Sequence, residues 1–310
     1  MEPIGLAVLT HEQEHAPPPG HPENGDRLNL AVKELATKNG FVSLESPVAD
    51  LEPIFRVHDE QYVNSLIALT EQGGGMADAD TYVTRTSMTA ARTVAGALLD
   101  AVDRSIADSP AVSFVLGRPP GHHAGNRNAM GFCLINSIAV AAQHALDNHA
   151  VSRIAIVDFD VHHGNGTQDI FYERNDVFYV STHQYPFYPG TGSANESGSG
   201  DGEGYTLNFP LPAGTNDDRM LDLYNNKIVP ALRRFQPQLL LISAGFDAHR
   251  LDPLGGFQLT GRAYREIAAM LKNVARLSCD GRMVTVLEGG YDPRGNLDSI
   301  TEFIEGLRIQ

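Results

Sequence analysis

The fold class that the sequence predicts is α/β: a three-layer α/β/α arrangement around a mainly parallel central sheet. Three observations carry this. Short β-type apolar runs alternate along the chain with segments of helical period. Several of these runs are almost continuously apolar, as strands covered on both faces must be. The unusual polar residues gather at the C-terminal ends of the runs, where an open parallel sheet binds ligands.

The strand candidates are IGLAVL (4–9), AVSFVL (111–116), RIAIVDFD (153–160), DVFYVST (176–182), QLLLISAG (238–245) and MVTVLEGG (283–290). Helix candidates lie near 26–38, 59–71, 87–107, 136–148, 217–235, 259–277 and 296–307. In the third of these, Ser87 opens an apolar stripe of Met88, Ala91, Ala95, Leu98, Leu99, Val102 and Ile106 at helical spacing. The Gly- and Ser-rich stretch GTGSANESGSGDGEG (190–204) reads as a surface loop, since it lacks the Gly-Lys-Ser/Thr ending of a phosphate loop. No internal repeat or linker interrupts the pattern, so residues 1–310 are expected to form a single domain.

Composition narrows the function classes. Hydrophobic residues make up 42% and charged residues 20%, which is ordinary for a soluble globular chain. A formal net charge of −15 argues against nucleic-acid backbone as a partner and favours cationic substrates by steering. Two cysteines, Cys133 and Cys279, imply no disulfide framework and suit a reducing compartment. The opening MEPIGLAVLTHEQ has no basic n-region, and no run approaches the ~18 apolar residues of a membrane span. A cytoplasmic protein without membrane contact is expected.

Five polar clusters need explaining. Arg118-Pro119-Pro120-Gly121-His122-His123 follows the run ending at 116, and Asp158, Asp160, His162 and His163 close the next. Ser181-Thr182-His183 ends the fourth run, Asp247 and His249 lie beyond the fifth, and Glu288-Gly289-Gly290-Tyr291 closes the sixth. Strand alternation would put Asp158, Asp160 and His162 on one side, with Phe159 and Val161 on the other. Two carboxylates so close repel unless a cation or hydrogen-bond donors compensate, so that stretch alone leaves a satisfied polar cluster and a metal site open. Asp-x-His offers a hard oxygen and a borderline nitrogen suited to zinc, and Asp247 is the best third ligand from another strand end. Adjacent imidazoles on the Pro-Pro-Gly turn can divide acid and base roles. Gly289 and Gly290 allow close backbone approach to a ligand, and the Tyr291 phenol suits a developing oxyanion.

These residues stand in an ordered set of motifs: HPENGDRL (21–28), VHDEQYV (57–63), RPPGHHA (118–124), GFCLIN (131–136), IVDFDVHHGNGTQDIFY (156–172), STHQYPFYPGTG (181–192), SAGFDAHRLDPLGG (243–256) and LEGGYDP (287–293). Taken in order, the set resembles the zinc-dependent histone deacetylase superfamily, closest to the class II type and its bacterial deacetylase-like members. The resemblance runs through nearly the whole chain and implies the arginase/deacetylase fold. It implies one zinc ion held by Asp160, His162 and Asp247, with His123 as general base and His122 stabilising charge beside it. Asp158 matches the carboxylate behind the His pair and, with Ser181, an inner structural potassium site. Tyr291 matches the tyrosine that polarises the amide carbonyl. Phe132 and Tyr188 match the aromatic walls of the acyl-lysine tunnel, with Gly131, Gly289 and Leu254 beside the substrate. Asp80 falls near the rim residue that holds the substrate backbone, and Arg27 near the arginine of an internal product channel.

The chain also departs from the family's commoner patterns. Asn165 stands where class I enzymes have a second aspartate behind the His pair, and an amide orients an imidazole without adding charge. Tyr188 stands where many members have Phe, and His163 reads as structural. Two-manganese ureohydrolases share the implied fold, but Gly164 and His249 replace their second-metal carboxylates, so one metal is expected. The expected reaction is removal of acetyl or another acyl group from Nε-acyl-lysine of proteins or peptides, releasing acetate. The alternative is deacetylation of an N-acetylpolyamine or another small acylated amine. The short segment between Tyr62 and Asp80, and Leu254 at the place of a gate glutamate, speak against that alternative. A binding module without turnover is disfavoured by retention of the whole set. Neither the natural substrate nor the oligomeric state, a homo-oligomer included, is encoded in these motifs.

Overall fold

Eight parallel strands form the central sheet of the computed structural model, which describes residues 3–11, 14–107 and 109–309. In chain order the strands are β1 (Ile4–Leu9), β2 (Phe41–Ser43), β3 (Gly75–Met76), β4 (Tyr82–Val83), β5 (Val112–Gly117), β6 (Ile154–Asp158), β7 (Val177–Gln184), β8 (Thr206–Leu211), β9 (Leu239–Ala244) and β10 (Met283–Leu287). The order across the sheet is β2-β1-β5-β10-β9-β6-β7-β8, and β3 pairs antiparallel with β4 apart from it. The helices are α1 (Asn29–Leu35), α2 (Leu51–Phe55), α3 (Glu60–Glu71), α4 (Ser87–Ile106), α5 (Ser137–Asn148), α6 (Asn165–Phe171), α7 (Asp217–Leu223), α8 (Val229–Phe235), α9 (Gly261–Ser278) and α10 (Pro293–Leu307).

Alternation along the inner strands divides the core in two. Ala155, Val157, Leu240 and Ile242 pack with Ile267, Leu271 and Phe303 of α9 and α10 on one face. Ile154, Ile156, Leu239 and Leu241 pack with Val94, Leu98 and Ile138 of α4 and α5 on the other. Strands buried on both faces cannot show a polar side, which is why their sequences are continuously apolar.

The departures from the expected elements have local causes. Strands expected to run to 160, 245 and 290 stop at Asp158, Ala244 and Leu287, where the polar residues begin. Strand alternation therefore does not aim Asp160 and His162. The Asp158 carboxylate accepts the Asp160 N–H at 3.1 Å, and Asp160 in turn accepts the His162 N–H at 2.9 Å, so side-chain-to-backbone turns set their direction. β2, β3, β4 and β8 carried too little pattern to be expected: three are only two or three residues long, and edge strand β8 contains Pro210. The helix expected over 217–235 is split by a π-turn at Tyr224–Ile228, just before Pro230, which has no N–H to continue the ladder.

Arg118, just past β5, is fully buried and pairs with the equally buried Glu23 through Nε at 2.5 Å and Nη2 at 2.7 Å. Burial works against the Glu23 charge, but Arg118, His15 and Arg27 hold its carboxyl well below 4.5. Glu23→Gln is expected to cost about 3–5 kcal/mol, because it strands buried guanidinium charge. Since the folded-state value is depressed, Glu23 stabilises fully above ~4.5 and that contribution is lost as pH falls toward the folded value. Urea unfolding of both proteins should show a gap at pH 7 that narrows in acid.

Candidate active site

Parallel register brings the polar clusters to one edge. Asp158, the last residue of β6, lies level with Ser181 on β7 and Ser243 on β9. Beyond that line, Asp160, His162 and Asp247 converge with ligand atoms all within 4.8 Å of one another, every one of them buried. His162 Nδ1 lies 3.0 Å from Asp160 Oδ1 and 3.1 Å from Asp247 Oδ2. The other carboxylate oxygens are held by backbone: Asp247 Oδ1 accepts the Val161 N–H at 2.8 Å, and Asp160 Oδ2 accepts the Gly289 N–H at 2.8 Å. A Cβ at Gly289 would overlap the carboxylates of Asp247 and Asp160, so only glycine fits against them.

Burial and close charges shift the titration of every member of this triad. Burial and then the Asp160 charge push Asp247 up to about 8. Burial opposes the His162 charge, yet hydrogen bonds to Asp160 and Asp247 raise it to about 10. Two carboxylate oxygens and one imidazole nitrogen facing a common point are a donor set for a divalent ion such as zinc, with a position left open. The carboxylates that would bind a second ion are absent. Gly164 is one replacement; the other, His249, turns toward α10 and lies 3.1 Å from Asp298.

Beside the triad, the two adjacent histidines are in different electrostatic states. His122 Nδ1 lies 3.0 Å from Asp158 Oδ2. Burial opposes its charge, but Asp158 and Asp160 raise it to about 10, so it is an imidazolium at neutral pH. His123 is driven well below 6.5 by burial and then by the charges of His122 and His162. Its Nδ1 lies 2.8 Å from Asn165 Oδ1, while the Asn165 amide nitrogen faces Met130 Sδ at 3.6 Å. An oxygen acceptor there fixes the proton on Nδ1 and leaves the Nε2 lone pair free.

Glu288 sets the turn that carries this pair. It is buried at the end of β10 and accepts the N–H groups of Gly121 at 2.7 Å and His122 at 3.1 Å, and the Ser243 hydroxyl at 3.0 Å. Tyr179 donates to Asp158 Oδ2 at 3.1 Å, and Asp252 accepts the Tyr291 N–H at 2.6 Å. Sequence reasoning assigned no role to these three. Glu288 carried a signal, a carboxylate closing an apolar run, whereas Tyr179 looked like core. His163 bonds Thr191 at 2.8 Å and Gln168 at 3.0 Å, away from the triad, as expected of a structural residue. Ser181 bonds His183 Nδ1 at 2.9 Å.

A cavity of about 500 Å³ leads from the surface to His123 and His162. Phe132, Tyr188, Phe187, Leu254 and Tyr291 line it, and Asp80 and Gly131 complete the wall. Phe132 is held at φ 69°, a strained conformation for an aromatic residue, by the hydrogen bond from its N–H to Thr81 Oγ1 at 3.1 Å. Gly131, at φ 56°, donates to Asp80 Oδ1 at 3.1 Å, and a Cβ there would overlap the His123 ring. Asp80 Oδ2 accepts the Tyr188 hydroxyl at 3.0 Å, tying the two sides of the mouth together. Arg27 lies behind this wall: it donates to the carbonyls of Gly290 at 2.8 Å and Glu288 at 3.0 Å, 5.3 Å from the Tyr291 ring centroid.

A neutral imidazole, an imidazolium and a phenol around a carboxylate–histidine triad are the equipment of a hydrolase that acts on amides, here on an arginase/deacetylase fold. A family profile described as "Histone deacetylase domain" matches residues 21–307. "Histone deacetylase 14, chloroplastic" of Arabidopsis thaliana is 42% identical over 318 residues, covering 96% of this chain and 73% of the relative. A "Probable deacetylase" of Archaeoglobus fulgidus is 40% identical over 297 residues, with 94% and 82% covered. A "Histone deacetylase-like amidohydrolase" of Pseudomonas aeruginosa is 41% identical over 277 residues, with 88% and 73% covered. The solved structure titled "Crystal Structure of HDA15 HD domain" matches with a TM-score of 0.92 at 36% identity, over 98% of this chain and 89% of that one. The chain belongs to the histone deacetylase family.

Replacing Asn165 with Asp puts a negative charge 2.8 Å from His123 Nδ1 and must raise the pKa of that ring. The acid limb of the pH–rate profile is expected below pH 6.5 in the wild type, because His123 must be neutral, and at higher pH in Asn165→Asp. An acid limb that does not move would remove His123 as the titrating base.

Proposed function

We propose that this hydrolase cleaves the Nε-acyl amide of lysine side chains in proteins or peptides, yielding acetate and free lysine when the acyl group is acetyl. The observation that supports it most is the neutral His123, its Nε2 lone pair free at the inner end of an aromatic cavity and its ring near the triad. Asp160, His162 and Asp247 would hold one zinc ion, and Asp158 with Ser181 an inner potassium ion. Bound zinc supplies Lewis acidity to the substrate carbonyl and to water.

The chain's own groups do the rest. Phe132 and Tyr188 hold the aliphatic part of the acyl-lysine and exclude water. His123 takes a proton from the attacking water at Nε2 as the oxygen bonds to the carbonyl carbon. The Tyr291 phenol donates to the oxygen on which negative charge develops, and the His122 imidazolium balances that charge. The C–N bond then breaks as the amine receives the proton from His123. Asn165 and Asp158 orient the two rings throughout. Residues 1–310 act as a single catalytic domain in this reading. Among the described residues no helix is long and apolar enough to cross a membrane. Both cysteines are free and buried, which suits the reducing cytoplasm, although two plant relatives are named chloroplastic.

A second reading, a small acylated amine as substrate, draws on the Tyr188–Asp80 hydrogen bond, which a peptide backbone recruiting Asp80 must displace. The two separate in kcat/KM measured across acetyl-lysine peptides, longer acyl-lysines and N-acetylpolyamines. Peptides are expected to be preferred. A preference of ~100-fold for acetylpolyamines, or ~2.7 kcal/mol of differential transition-state binding, would reverse the assignment. Tyr291→Phe should keep its fold and metal content and lose about 100-fold in kcat, the usual cost of one oxyanion donor. Wild-type turnover in that variant would leave the phenol without a catalytic role.

A further inference from the structure

A second group of metal-type donors lies well away from the cavity. Asp103 is near the end of α4, His144 is in the last turns of α5, and His149 caps the C terminus of α5. Both imidazoles place Nε2 2.7 Å from the same oxygen, Asp103 Oδ1, with ring centroids 5.7 Å apart and ring planes at 74°. The three ligand atoms lie within 4.8 Å of one another. The imidazoles are seated, at 14% and 23% exposure, while the carboxylate faces water at 52%.

The backbone explains the convergence. His149 leaves α5 in an extended conformation, φ −128° and ψ 164°, which returns its ring toward the turn that carries His144. α4 packs against α5 and brings Asp103 between the two rings. Asn148 Nδ2 lies 3.1 Å from His144 Nδ1 and donates to the His144 carbonyl at 3.1 Å, so the other edge of the ring is the one that faces Asp103. Two borderline nitrogens and one hard oxygen within 4.8 Å of one another, on a carboxylate open to water, suit zinc and its neighbours rather than calcium or magnesium. At the other end of α5, Asn136 bonds the Ala124 carbonyl beside the His pair. The 12-residue helix separates the two places by about 18 Å.

We propose that Asp103, His144 and His149 form a surface site for a divalent transition-metal ion of the zinc class, cross-linking the C-terminal ends of α4 and α5. The site is independent of the catalytic triad and of the reaction assigned to it.

The test is zinc stoichiometry of the full chain after equilibration with buffered free Zn2+, with Cu2+ electron paramagnetic resonance as the spectroscopic readout. Two zinc ions per chain are expected for the wild type. One is expected for the His144→Ala/His149→Ala double variant, with unchanged turnover. One is also expected for Asp247→Ala, which keeps only the surface site. Asp103→Asn, which preserves shape, should likewise lose the second ion, and two-nitrogen hyperfine coupling from Cu2+ bound to Asp247→Ala should vanish when the surface histidines are also removed. A single ion in the wild type, two ions in the double variant, or none in Asp247→Ala would each overturn the proposal.

Discussion

Four carboxylates, those of Asp158, Asp160, Asp247 and Glu288, are buried together at the C-terminal edge of the sheet. Their mutual repulsion is the constraint on which the rest of the site depends. Such a group persists only when hydrogen-bond donors and positive charge are built around it. Here backbone N–H groups from Asp160, Val161, His162, Gly289, Gly121 and His122 supply the donors. The His122 imidazolium supplies part of the positive charge. The triad itself brings two carboxylates and one imidazole together, a donor set that fits a bound cation.

The same constraint sorts the histidines. Because Asp158 and Asp160 hold His122 protonated, a second imidazolium next to it is disfavoured, and His123 stays neutral. Asn165 then matters by being uncharged: it fixes the tautomer without restoring basicity. The charge on the His122 ring follows from the Asp158 and Asp160 carboxylates, and the neutrality of His123 from burial and from the charges of His122 and His162. Glu288 couples this arrangement to the fold, since one buried side chain holds both the His-bearing turn and β9.

The sheet and the catalytic cluster were legible because burial on two faces forces apolar strands, and so leaves Asp158, Asp160 and Asp247 conspicuous where those strands end. What escaped was either short or indirect. β2 and β3 have too few residues to show a period, and the π-turn before Pro230 interrupts a helix whose apolar pattern continues through it. The alternation expected to aim Asp160 and His162 was replaced by turns that their own side chains make with the backbone. Glu288 read as part of the run 283–290, with no role of its own, because its partners, Gly121 and His122, lie more than 160 positions earlier in the chain. The Asp80–Tyr188 tie across the mouth likewise joins residues that only the folded chain brings together.

Metal dependence tests the central claim most directly. Acetate release from an acetyl-lysine peptide can be followed before chelation, after chelation and dialysis, and after adding back one equivalent of zinc. Release is expected to fall to background without metal and to return with zinc in the wild type, but not in Asp247→Ala. Undiminished release from metal-free protein would contradict the assignment of Asp160, His162 and Asp247 as the ligands of the catalytic ion.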